Sequence, residues 1–187
     1  MSIHQNPWKI LDQQAVYENP WIQITEFRVL NPSGGPGIYG KVHFKNLAVG
    51  VIPLDAAFNI YLVGQYRFVL NQYSWEIPEG GGAKDEDPLT AAKRELLEET
   101  GLLAKKWEKI LTMHLSNSVS DELAVIYLAR ELEQRQPMPE ETEALTIKKV
   151  PFDEAVRLLE SGSITDSMSV AAIQQVQLLR FQGRLKI

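Results

Sequence analysis

The chain has 187 residues, 44% of them hydrophobic, and 24 acidic side chains against 19 lysines and arginines give a formal net charge of −5. That length fits one domain of ordinary size, with room for a small extension and a substantial core. The acidic balance without a basic stripe excludes a general nucleic-acid surface, and the absence of cysteine excludes disulfides, thiolate chemistry and cysteine-ligated zinc.

The opening MSIHQNPWKI carries no signal-peptide core, and no apolar run reaches membrane-spanning length, so a cytoplasmic protein without membrane contact is expected. Residues 1–45 differ in character from the rest and read as a β extension; residues 46–187 read as the main domain. Within the extension, β-branched and aromatic residues after the Asn19-Pro20 turn signal predict a strand over 17–29. The run NPSGGPG at 31–37 is a turn, and 38–44 is a returning strand. Apolar runs at 47–53 and 59–65 predict core strands, and 73–78 predicts a strand leading to a glycine-rich loop.

A helix follows over 89–100. Asp87 suits the N-cap, Pro88 the first helical position and Gly101 a left-handed C-cap. Strands are expected at 107–115, 123–129 and 144–150. Two helices, at 152–161 and 167–179, end the chain, the last capped by Asp166 or Ser167. A mixed sheet flanked by helices accounts for this order.

On the first helix, Glu95, Glu98 and Glu99 fall within one sector of roughly 100°, and Ala91, Ala92, Leu96 and Leu97 supply an apolar side to pack against a sheet. Arg94, one turn before Glu98, is placed to pair with it. Three clustered carboxylates repel one another unless cations neutralise them, and hard oxygen ligands suit Mg²⁺ or Mn²⁺. The preceding EGGGAK lacks the G-K-[ST] ending of a phosphate-binding loop, and no G-x-G-x-x-G opens the helix. The loop is expected to fold back so that the acidic face meets the strand before it.

From Gly80 to Leu102 the spacing is G-x5-E-x7-R-E-U-x-E-E-x-G-U, with U apolar. Its defined positions are Gly80, Glu86, Arg94, Glu95, Leu96, Glu98, Glu99, Gly101 and Leu102. At average residue usage, a chance match is on the order of one in a billion per start position. The chain resembles the Nudix hydrolases. Flanking segments narrow the branch: Gln65-Tyr66-Arg67, Trp75-Glu76-Ile77-Pro78-Glu79-Gly80 and the SNSVSDE segment at 116–122 are similar to ADP-ribose pyrophosphatases and related nucleoside diphosphate sugar hydrolases. Val119 stands where that branch usually has glycine, and the Glu79 side chain where it often has alanine. The resemblance implies an α+β Nudix fold, a mixed β-sheet sandwiched between helices with an N-terminal antiparallel β extension.

It also implies metal-dependent hydrolysis of the diphosphate of a nucleoside diphosphate sugar, ADP-ribose first and GDP-mannose second. Glu95 and Glu99 would hold Mg²⁺, with Mn²⁺ able to substitute. Glu98 would be a further ligand or an orienting partner, and Glu79 would contribute its backbone carbonyl. Glu140-Glu141-Thr142-Glu143 is similar to that branch's late acidic loop, which would make Glu141 the general base and Glu143 a ligand or alternate base. Arg67 is a candidate phosphate clamp or a structural ion-pair partner, Glu76 a candidate contact to ribose or base, and Trp75 a candidate wall. Phe27 and Arg28 are candidates for stacking the base from a neighbouring subunit, which favours a homodimer. Trp8, Trp21 and Trp107 read as packing anchors, and His4, His43 and His114 lack ligand spacing. Rival readings are a hydrolase of oxidised nucleoside triphosphates or dinucleoside polyphosphates, and a non-catalytic nucleotide-sugar sensor. The intact acidic motif and the lack of a basic second domain weigh against the sensor.

Overall fold

The computed structural model describes residues 5–135 and 145–185. The chain divides into two compact units, Met1–Asn46 with Ser116–Glu122, and Leu47–Leu115 with Leu123–Ile187.

The first unit is an antiparallel meander of β1 (Lys9–Glu18), β2 (Ile22–Leu30) and β3 (Pro36–Phe44). Asn19 makes the first corner, its Oδ1 accepting the N–H groups of Trp21 and Ile22 at 2.9 and 2.8 Å. Asn31 makes the second, its Oδ1 accepting from Ser33 and Gly35, with Gly34 at φ +85°. The expected strand over 17–29 is therefore corrected: the Asn19 turn divides it, its first residues end β1 and the rest is β2. No strand was expected before residue 17, because every position of β1 is exposed, so no alternation of buried and solvated side chains marks it.

Segment 116–122 belongs to this unit as well. The Val42 N–H donates to the Val119 carbonyl at 2.8 Å. The Asp121 carboxylate accepts from the Phe44 N–H at 3.0 Å, from Lys41 Nζ at 2.8 Å and from His43 Nδ1 at 2.6 Å. Tyr39 Oη donates to the Ser118 carbonyl.

The second unit holds a sheet in the order β7 (Glu79–Ala83), β4 (Asn46–Pro53), β9 (Leu123–Gln134), β8 (Leu102–His114), and a second sheet of β10 (Thr146–Pro151), β5 (Asn59–Arg67) and β6 (Gln72–Glu76). β4 and β9 pair in parallel and β8 and β9 antiparallel, so the first sheet is mixed. Alternation along β4 and β9 splits the interior in two. Val49, Val51, Val125 and Tyr127 face one way and pack with Ala91, Ala92 and Leu96 of α1 (Pro88–Thr100). Ile52, Ala124, Ile126 and Leu128 face the other way, against Phe152 and Ala155 of α2 (Phe152–Glu160) and Met168, Ala172, Ile173 and Val176 of α3 (Ser167–Phe181). Helices thus cover both faces of the mixed sheet, as expected. β8 starts at Leu102, directly after α1, rather than near 107, and the glycine run forms β7 instead of a loop. No helix among the described residues is long and apolar enough to cross a membrane.

Candidate active site

The corner where β7 meets α1 is set by local sequence. Asp87 caps α1, its side chain accepting from the Leu89 N–H, and Gly101 closes it at φ +70° with its N–H on the Leu97 carbonyl. Ala91, Ala92 and Leu96 are fully buried on the apolar side. The glycines bring β7 close against the stripe of the helix that carries Ala91 and Glu95. A Cβ at Gly82 would lie 2.7 Å from the Ala91 methyl, and one at Gly80 would collide with the carboxyl carbon and both oxygens of Glu95. Only hydrogen fits there.

Glu95 and Glu99 are buried, an arrangement that is costly for carboxylates without partners. Arg94 Nη1 pairs with Glu95 and Glu98, each at 2.9 Å, and its Nη2 donates to the Gly81 carbonyl at 2.7 Å. Glu99 Oε2 accepts the Glu79 N–H at 2.9 Å. One arginine and one strand amide thus fix the acidic face. The Arg94–Glu98 pair expected from sequence is present, and Arg94 also holds Glu95.

A second charged group lies across β7. Arg67 at the end of β5 donates through Nε and Nη2 to both oxygens of Glu76, and through Nη2 to Glu79 Oε1 at 2.8 Å. Glu76, the sequence candidate for a ribose or base contact, is buried beneath it with both oxygens accepting from Arg67. Glu79 is also nearly enclosed. Its Oε2 is buried without a hydrogen-bond partner among the described residues. Burial pushes the Glu79 carboxyl well above the usual carboxylate range; the nearby charges of Asp166 and Glu76 add to this, and Arg67 opposes it. Asp166 was legible only as the cap of α3, where its Oδ2 accepts the Ser169 N–H at 2.7 Å. Ser169 Oγ in turn accepts the Ile77 N–H at 2.9 Å, and this dock accounts for a helix cap standing beside the site.

The remaining candidates separate. Trp75 alternates with Glu76 on β6 and lies across from Gly64, with Tyr73 edge-on to its ring and Lys148 above it, on the hairpin face away from Glu76. In the first unit, Phe27 lines a cavity of about 370 Å³ with Trp8, Tyr39, Lys41, Asn117 and Val119. Arg28 points to the other side of β2 and pairs with Asp12 at 2.8 Å. Glu141 and Glu143 lie outside the described residues.

A divalent cation fits this donor set. The acidic oxygens are hard ligands, and Glu79 Oε2 is buried without a hydrogen-bond partner among the described residues. Among the described residues no three acidic or histidine side chains already form a metal-holding group. Ions such as Mg²⁺ bind through one or two carboxylates together with substrate phosphates, so a complete protein cage is not required.

Residues 44–169 match the NUDIX domain, and residues 8–42 match the nucleoside diphosphate sugar hydrolase N-terminal domain. The chain is similar to the ADP-ribose pyrophosphatase of Bacillus subtilis, 37% identical over 134 residues that cover 70% of this chain and 72% of that one. It is 34% identical to the ADP-ribose pyrophosphatase of Mycobacterium tuberculosis over 177 residues, 92% of this chain and 84% of that one. A crystal structure of an ADP compounds hydrolase shares the fold with a TM-score of 0.84 at 22% identity, covering 95% of this chain and 97% of that one.

Proposed function

The chain belongs to the Nudix hydrolase family, and on that premise we propose that it hydrolyses the diphosphate linkage of nucleoside diphosphate sugars. ADP-ribose is the first choice of substrate and GDP-mannose the second; the products are a nucleoside monophosphate and a sugar phosphate. The observation that carries this reading is the joining, through Glu79, of the acidic face of α1 to Arg67: its N–H binds Glu99 and its carboxylate binds Arg67. The two ADP-ribose pyrophosphatases named above support the substrate class.

Nudix hydrolases generally use divalent metal ions, and we assign Mg²⁺ here, with Mn²⁺ as a substitute. Glu95 and Glu99 are its proposed ligands, Glu98 a ligand or an orienting partner, and Glu79 a backbone-carbonyl ligand. The ion, when bound, offsets diphosphate charge and acidifies an attacking water. Arg67 is proposed to bind a phosphate oxygen through Nη1, which makes no hydrogen bond among the described residues, while Glu76 keeps its planar fork aimed. Glu141 is proposed to take the proton from water, with Glu143 as ligand or alternate base. Phe27 is proposed to stack on the nucleobase bound by a neighbouring subunit.

Residues 1–45 are proposed as a dimerisation element and 46–187 as the hydrolase domain of a cytoplasmic homodimer. Support comes from Ile10, Leu11, Val16, Tyr17, Trp21 and Ile38, all more than half exposed on the N-terminal unit. Light scattering during gel filtration reads the dimer directly. For the reaction, the test is purified protein with Mg²⁺ against ADP-ribose, GDP-mannose, UDP-glucose, a dinucleoside polyphosphate and 8-oxo-dGTP, with chromatographic separation of products. AMP with ribose 5-phosphate, or a nucleoside monophosphate with sugar 1-phosphate, is the expected outcome. Pyrophosphate release from the triphosphate alone would overturn the substrate assignment, and ligand binding without turnover would overturn the enzyme reading.

A further inference from the structure

The second unit contains a cavity of about 760 Å³ that shares no residue with the acidic corner. Asp55, Tyr61, Lys106, Arg130, Glu131 and Lys149 line it. Its volume lies within the range of small-molecule sites, roughly 300–1,000 Å³. Tyr61 and Arg67 occupy the same face of β5 six residues apart, so the cavity opens about 20 Å along the strand from the proposed phosphate clamp.

Three observations give the cavity its chemistry. Its lining carries three cations against two carboxylates, in a chain whose net charge is −5. The two carboxylates are already committed. Asp55 Oδ1 closes the 55–59 turn by accepting the N–H groups of Ala57 and Asn59, and its Oδ2 meets Lys149 Nζ at 2.7 Å. Glu131 pairs with Lys106 at 2.7 Å. Lys149 Nζ also lies 5.4 Å from the centre of the Tyr61 ring, so a cation and an aromatic face adjoin in the wall. Finally, two of the three non-glycine residues with positive φ among the described residues flank this cavity: Glu131 at +57° in its wall and Phe58 at +63° beside the 54–57 turn. Such strain persists where surrounding structure enforces it, and it concentrates at binding sites.

We propose that this cavity is a second ligand site, for a phosphate-monoester dianion held between Lys106, Arg130 and Lys149, with any attached ring or sugar against Tyr61. Each cation already holds a carboxylate, Lys106 with Glu131, Lys149 with Asp55 and Arg130 with Glu108 at 3.2 Å; the Lys106–Glu131 pair is exposed on both sides and weak in water, and a dianion binds by exchange with these partners. The inference does not rest on the proposed hydrolysis.

The test is titration of the full chain, in EDTA to silence divalent-metal binding, with inorganic phosphate, AMP, ribose 5-phosphate and uncharged adenosine. Calorimetry gives affinity, and amide NMR shifts give location. Saturable binding of at least one dianion, with shifts at residues 54–57 and 130–132, is expected. Which of the three binds separates the free ion from the nucleotide and the sugar phosphate. Lys106→Gln with Lys149→Gln, both at exposed side chains, should weaken binding at least tenfold while leaving the hydrolase turnover as it was. The proposal is overturned by absence of binding at millimolar ligand, by shifts confined to Arg67 and α1, by equal binding of adenosine, or by unchanged affinity in the double variant.

Discussion

Alanine at Gly80 isolates the geometry of the acidic corner. Gly80 is not among the glycines with positive φ, so the backbone accepts alanine and the effect comes from the methyl alone. That methyl would overlap the Glu95 carboxyl carbon and both of its oxygens. Restoring a normal separation of about 3.5 Å moves the carboxylate by roughly 1 Å. Glu95 is tied to Arg94 at 2.9 Å, so either the arginine follows or the pair lengthens. A displacement of about 1 Å in a catalytic constellation costs about 100-fold in rate, or about 2.7 kcal/mol of transition-state stabilisation. Measured as kcat on ADP-ribose across an Mg²⁺ titration, Gly80→Ala should lose about two orders of magnitude and require more metal for half-saturation. Its melting temperature should stay near that of the parent, because the displaced group is the end of a flexible side chain. Gly82→Ala is the counterpart. Its methyl would meet the Ala91 Cβ at 2.7 Å, an atom that cannot swing aside, so the cost should fall on stability, about 1–3 kcal/mol and roughly 2–10 °C in Tm. A Gly80→Ala enzyme within about threefold of the parent kcat and with an unchanged metal requirement would refute the placement of Glu95 in the metal site.

Three further outcomes are expected. Glu99→Gln should lower kcat by about two orders of magnitude or more, read in the same metal titration; full activity would remove Glu99 from the ligand set. Glu141→Gln should lower kcat by about 10²–10⁴-fold, the usual contribution of a general base, with metal affinity unchanged; if Glu143→Gln alone does this, the base is Glu143. For pH, burial works to raise the Asp55 carboxyl, but hydrogen bonds from Lys149 and Asn59 outweigh it and hold it at about 2, below its ordinary 3.8. A carboxyl depressed by folding adds stability above its unfolded pKa and loses it as pH falls through the folded one. Asp55→Asn should therefore be less stable than the parent at pH 6, and the gap in urea midpoint should narrow from about pH 4 toward pH 2; a constant gap contradicts the assignment.

Elements with a local signal were legible in the sequence. Asp87, Pro88 and Gly101 delimited α1 because caps and first-turn prolines act through neighbouring backbone, and the acidic sector followed from helical spacing. β1 was invisible because its ten residues are exposed on both faces, so KILDQQAVYE shows no burial period. β7 was hidden for the opposite reason: glycine has poor strand propensity, and the strand exists because α1 demands close approach at Gly80 and Gly82. The site was readable to the same degree. Glu95, Glu98 and Glu99 share a helix and can be counted from one another. The Glu76–Arg67–Glu79 chain and Asp166 come from elements far apart in sequence, and only the fold brings them together. Nothing local to Glu76 shows its pairing with Arg67, because that burial is a tertiary fact.

The excursion at Ser116–Glu122 bears on how such a protein is cut and recombined. One of its two units is spelled in two distant passages of the sequence, so no single cut isolates it. A fragment ending at Asn46 would leave Lys41 and His43 without Asp121 and the Phe44 N–H without its acceptor. A core stripped of residues 1–46 would carry a β8–β9 connection with nothing to bind. Chimeras that exchange N-terminal extensions between relatives therefore have to carry the 116–122 segment with them, and Val119 travels with the extension rather than with the catalytic core.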